Sequence, residues 1–142
     1  MRPKKKILCV FSSDSDLSIV KFLLTTHGYN VLTAQSALEG IGVFIGTHVD
    51  LVLVEYVPLA INGAEVVATL KRINPYVPMI ILAAKEFLDS LHSADAMIAR
   101  ANCSPMELLE RVKVMSARKR GPRKGVQRAM PLSASAGISD VA

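Results

Sequence analysis

Two runs, Leu51-Val52-Leu53-Val54 and Met79-Ile80-Ile81-Leu82, are apolar at every position rather than at alternate ones. A strand with one wet face alternates. A strand that is apolar on both sides must be covered on both, and the usual cover is a layer of helices on each face of a parallel sheet. These two runs therefore belong in the middle of such a sheet. Three further runs, at residues 7–11, 30–33 and 96–99, supply the remaining strands, the second and last of them with the weakest apolar signal.

Helical periods fill the gaps. Leu17, Val20, Leu23 and Leu24 follow a cluster of N-cap residues, Ser13 to Ser15, and Gly28 stops that helix. Ala37, Ile41, Phe44 and Ile45 mark a second, and Val66, Val67, Leu70 and Ile73 a third, closed by Asn74-Pro75. A shorter helical segment is expected at 86–92. Ser104-Pro105-Met106-Glu107 is a capping box with proline at the first helical position, ahead of the apolar stripe Leu108, Leu109, Val112 and Met115. Five βα units ending near Ala117 predict an α/β, flavodoxin-like doubly wound five-stranded parallel sheet, with any functional site at the carboxyl ends of its strands.

The chain has 142 residues, a length suited to one domain. It is 51% apolar and 20% charged with a mean hydropathy of +0.35, which excludes a disordered protein, a collagen and a disulfide scaffold. Its apolar runs are too short to span a membrane, and residues 7–10 are too short for the apolar core of a secretory signal. A cytoplasmic location is expected. Cys9 and Cys103 form no CxxC pair and fit idle thiols in a reducing compartment. The net charge of +5 is uneven: residues 7–117 carry seven basic and eleven acidic side chains, while 118–142 carry six basic and one acidic. Residues 118–142 read as a basic, Ser/Ala/Gly-rich disordered tail.

Six segments in order carry a resemblance: Ile7-Leu8-Cys9-Val10, His27-Gly28-Tyr29-Asn30-Val31, Val49-Asp50-Leu51-Val52-Leu53-Val54-Glu55, Asn62-Gly63-Ala64-Glu65-Val66, Val77-Pro78-Met79-Ile80-Ile81-Leu82-Ala83-Ala84 and Ser104-Pro105-Met106-Glu107-Leu108-Leu109. Together the chain resembles the receiver domain of bacterial two-component response regulators over about residues 5–116, within an expected receiver-like domain of residues 1–117. The resemblance implies transfer of a phosphoryl group from a phosphohistidine to an aspartate at the end of strand three. It also implies a Mg²⁺ held by an acidic pair after strand one, a Thr or Ser after strand four, and a Lys after strand five.

This sequence departs from each of those positions. The acidic pair falls on Phe11 and Ser12, so Mg²⁺ binding, like any other cofactor, is not expected. The phosphoacceptor position is Glu55, eight residues before Gly63. It reads as a vestigial or phosphomimetic site, against the plainer alternative of a solvated carboxylate at a strand end. Ala83 stands at the hydroxyl position, Arg100 or Ala101 at the lysine position, and Met97 or Ile98 at the aromatic that flips on activation. Asp14 and Asp16 read as N-terminal helix caps, and Ser12 and Ser13 likewise. His27, His48 and His92 lack metal-ligand spacing and read as surface residues, and no metal site is expected.

The expected function is an atypical, phosphorylation-independent receiver in two-component, or phosphorelay, signalling that acts by protein–protein interaction, through the fifth strand and the last two helical segments. The candidate partners are a histidine kinase, an output protein or a second copy of the chain. The alternative is a receiver that still engages a kinase or phosphotransfer protein in a phosphorelay. Six basic residues in the tail would give only salt-sensitive, non-specific nucleic-acid binding, and a solubilising role is the plainer reading. No membrane association is expected. With one carboxylate and no paired base or nucleophile at the strand ends, the chain is not expected to be an enzyme.

Overall fold

The computed structural model describes residues 4–84, 86–87, 94–100 and 103–117. Along the chain run β1 (Lys6–Val10), α1 (Asp14–Thr26), β2 (Asn30–Ala34), α2 (Ala37–Gly46), β3 (Leu51–Tyr56), α3 (Gly63–Ile73), β4 (Met79–Ala83), β5 (Ala96–Ala99) and α4 (Pro105–Ser116). The five strands form one parallel sheet in the order β2-β1-β3-β4-β5. β1, β3 and β4 are its interior strands, so the two fully apolar runs are where helices cover them on both sides.

Strand alternation sorts the core into two layers. Leu8, Val10, Val52, Val54, Met79 and Ile81 pack with Phe44 of α2 and Val66, Val67 and Leu70 of α3. Ile7, Cys9, Leu51, Leu53, Ile80 and Leu82 pack with Leu17, Val20 and Leu24 of α1 and with Leu108, Leu109 and Val112 of α4. Each of these large side chains contributes about 1.5–3 kcal/mol by leaving water.

The helices begin where the local chemistry dictates. Ser13, Ser36, Asn62 and Ser104 each accept a hydrogen bond from the backbone N–H three residues on, satisfying one of the orphan donors of the first turn. At Ser104 the backbone N–H in turn donates to the Glu107 carboxylate, completing the capping box. Gly28, with φ of 93°, supplies the left-handed turn that ends α1.

Three strands differ in their limits from the sequence reading, β1 also starting one residue earlier, at Lys6. β1 ends at Val10, although the buried Phe11 still donates its N–H to the Ala34 carbonyl at 3.0 Å, and β2 runs on to Ala34. β3 continues to Tyr56 because Glu55 and Tyr56 remain paired with Leu82 and Ala83, so Glu55 lies within the strand. The described residues hold four α-helices. The segment expected at 86–92 lies largely outside the described residues, as do the tail at 118–142, Ala101 and His92. No helix among the described residues is long and apolar enough to cross a membrane.

Candidate functional site

β3 alternates between the two core layers, and by that alternation Glu55 shares the side of Leu51 and Leu53, facing α1 and α4. Its side chain is fully buried, which removes the alternative of a solvated carboxylate. A buried carboxylate needs hydrogen bonds on both oxygens and a counter-charge. Oε1 accepts from the Ser12 N–H and, at 2.6 Å, from the Ser12 hydroxyl. Oε2 accepts from Arg100 Nη1 at 2.6 Å. Arg100 uses its second nitrogen as well: Nη2 donates to Asp16 Oδ2 at 2.6 Å.

One guanidinium therefore bridges two carboxylates, Glu55 from β3 and Asp16 from the first turn of α1, while itself following β5. Exposure of the three side chains grades from 0% at Glu55 to 33% at Arg100 and 39% at Asp16. The inner pair is thus shielded and the outer one faces solvent. The rigid fork of an arginine suits this double contact, since its charge is permanent and its N–H directions are fixed.

Two side chains act differently from the sequence reading. Ser12 does not cap α1, because Ser13 is the cap and Ser12 holds Glu55. Asp16 does more than cap a helix, being the second anchor of Arg100. The nearest signal in the sequence was Arg100 itself, a cation closing an apolar strand in an acidic body.

The Mg²⁺ implied by the resemblance does not fit the residues present. Phe11 offers no oxygen and packs in the core, Ser12 spends its hydroxyl on Glu55, and Glu55 and Asp16 are both held by Arg100. Among the described residues no group of three or more His, Cys, Asp or Glu side chains could hold a metal. Ala83 is buried and presents only a methyl group. Met97 leans towards the α2/α3 layer and Ile98 into the α1/α4 layer, so neighbours on β5 face opposite ways. His27 is exposed, and His48 Nε2 lies 3.2 Å from Asp50.

The backbone beneath Glu55 is constrained by Gly63. A Cβ there would lie 2.7 Å from the Glu55 carbonyl oxygen, so α3 can start this close to β3 only with glycine. The intervening loop is closed by Val57 and Ile61, which exchange backbone hydrogen bonds, and it carries the exposed Leu59 at φ of 70°. Beside the charged cluster a cavity of about 170 Å³ opens between α1 and α4, lined by Phe11, Ile19, Leu23, Pro105 and Leu108 together with Asp16 and Arg100. Burial pushes the Cys9 thiol up to about 12. Cys103 is raised as well, first by burial and then by the Glu107 charge, with Arg111 opposing.

The same fold recurs among solved structures. A receiver domain protein from Methanospirillum hungatei is 28% identical with a TM-score of 0.73, the match covering 80% of this chain and 94% of that one. One from Clostridium thermocellum is 25% identical with a TM-score of 0.72, covering 79% and 94%. The response regulator TrrA of Thermotoga maritima, solved in complex with Mg²⁺ and BeF, is 25% identical with a TM-score of 0.73, covering 78% and 98%. Among curated proteins, the transcriptional regulatory protein GlrR of Escherichia coli is 36% identical over 74 residues, half of this chain. The autoinducer 1 sensor kinase/phosphatase LuxN of Vibrio harveyi is 27% identical over 79 residues, 56% of this chain. The matches span only 17% of GlrR and 9% of LuxN. No family model matches the chain.

Proposed function

We propose that this chain, which shares the fold of response regulator receiver domains and resembles a transcriptional regulatory protein over half its length, works without phosphorylation, as a fixed module that binds another protein in a two-component pathway. The observation that carries this reading is the Arg100 bridge. A phosphoryl acceptor needs a free carboxylate oxygen and a metal beside it. Both oxygens of Glu55 are instead engaged, one by Ser12 and one by Arg100, and the cation beside them is a side chain. A switch also needs two states with different contacts to the incoming group. With Ala83 in place of a hydroxyl and no aromatic on β5, the parts that would distinguish the states are missing.

The reading makes the protein a cytoplasmic binding module rather than an enzyme, with a histidine kinase or an output protein as partner. Incubation with acetyl phosphate and Mg²⁺, followed by intact-mass measurement, should leave the mass unchanged. Beryllofluoride with Mg²⁺ should leave the amide spectrum of β4 and β5 unchanged. A stable phosphoryl adduct on Glu55, or shifts spreading from β3 to β5, would sink the reading. The tail at 118–142 is proposed to be a solubilising extension. Trypsin should then leave a folded core ending near Ala117.

A further inference from the structure

We infer that Arg100 is a built-in counter-cation: the guanidinium holds the place between Glu55 and Asp16 that a free divalent cation could take, and its removal opens that place to one. The inference rests on the reading of the native site as metal-free and says what keeps it so.

The geometry comes first. Two carboxylates from separate elements, β3 and the first turn of α1, converge on one positive group with both contacts at 2.6 Å. The inner carboxylate is fully buried and already oriented by Ser12, whose N–H and hydroxyl fix the other oxygen. If Arg100 is truncated, Glu55 keeps only its bonds from Ser12 and becomes a buried charge without a counter-charge. Such a group is strongly unfavourable and is relieved by a proton or by a cation.

The donor set left behind decides which cation. It consists of the Glu55 and Asp16 carboxylates, both hard oxygen donors, with the Ser12 hydroxyl still committed to Glu55 and no imidazole among the three residues. Hard oxygen ligands select Mg²⁺ or Ca²⁺ over soft metals. Asp16 is partly exposed, so the site keeps an opening through which an ion and its remaining waters enter. In the native chain that opening leads to the Arg100 guanidinium, and the attraction for a second cation is spent on it.

The test is calorimetric titration with Mg²⁺ and with Ca²⁺, using circular dichroism to monitor folding. The full-length protein should show no saturable uptake. Arg100→Ala and Arg100→Met, the latter keeping the aliphatic stem, should each take up an ion saturably. Adding Asp16→Asn to either should weaken that uptake about tenfold or more. Folded Arg100 variants with no saturable uptake, or with uptake indifferent to Asp16→Asn, would overturn the inference and leave the metal-free reading of the native site standing. Saturable uptake by the full-length protein itself would overturn both. If the variants lose their native spectrum, the titration reads refolding instead: recovery on adding the ion supports the inference, and failure to recover with either ion overturns it.

Discussion

On the side of α2 and α3, the central strand β3 presents Val52 and Val54 to Phe44, Val66, Val67 and Leu70, and α3 starts so near the strand that Gly63 has no room for a Cβ. On the side of α1 and α4 the same strand presents Leu51, Leu53 and then Glu55, beside a cavity of about 170 Å³ and a charged bridge through Arg100. The first layer meets β3 through apolar side chains. The other gives up packing near its top for a directed polar contact. Apolar packing is non-directional and tolerates any filling of the right volume, whereas a buried carboxylate accepts only particular donors. The layer that carries chemistry is therefore the one with fewer interchangeable parts.

The largest expected difference comes from truncating one leucine in each layer. Leu70→Ala should cost about 4 kcal/mol, because its closed surroundings cannot collapse onto the space, whereas Leu108→Ala, beside an existing cavity, should cost about 2 kcal/mol. Denaturant titration reads both, and equal losses would erase the contrast. Gly63→Ala should follow at about 2–3 kcal/mol, since the atom it meets is the backbone oxygen of Glu55 and cannot rotate away. A neutral outcome would mean that α3 can slide.

Glu55→Gln should cost about 1–2 kcal/mol. The figure is discounted from that of a fully buried pair because Arg100 is one-third exposed and keeps Asp16. Partner binding that survives this variant supports a fixed shape. A tenfold loss, equal to about 1.4 kcal/mol, would mean that the partner reads the charge.

Ser104→Ala should cost about 1 kcal/mol through loss of the α4 cap. Its reciprocal partner adds a pH signature. The Ser104 N–H and hydroxyl hold Glu107 below its ordinary value of 4.5, so the Glu107 contribution is present above that pH and is lost as pH falls through the folded value. The stability gap between the native chain and Glu107→Gln should shrink on acidification below about 4.5. The smallest effect is on reactivity alone. At pH 8 a thiol reagent should label Cys103 slowly and Cys9 only on unfolding, because burial raises both thiols but seals only Cys9.

The frame was legible because it is repetitive. Continuous apolar runs named the middle of the sheet, and the capping box at Ser104 placed α4 to the residue. The spacing from Glu55 to Gly63 was legible too, and its physical reason is the close approach of those two residues. What could not be read is how three distant segments meet. Asp16 lies 84 residues from Arg100, and nothing in its local sequence separates a helix cap from an anchor for a cation. Ser12 sits beside the true cap, Ser13, and a shift of one residue in a turn decides which serine faces the helix and which faces β3. The burial of Glu55 was missed for a related reason. The strand continues past its apolar run because β4 goes on pairing with it, and pairing is a property of the neighbour.

The order of strands bears on how the molecule comes together. β1 lies between β2 and β3, so residues 6–56 supply three adjacent strands and already contain both Ser12 and Glu55. Arg100 follows β5, the last strand among the described residues and an outer one in the sheet. Any partly assembled arrangement that packs β3 but leaves β5 undocked thus buries a carboxylate away from its guanidinium, an arrangement raised in free energy by that unmatched charge. The bridge penalises halfway states as well as tying the finished one together. The outermost strand is thereby bound into the same all-or-none transition as the centre, and fraying at β5 is coupled to the stability of the core.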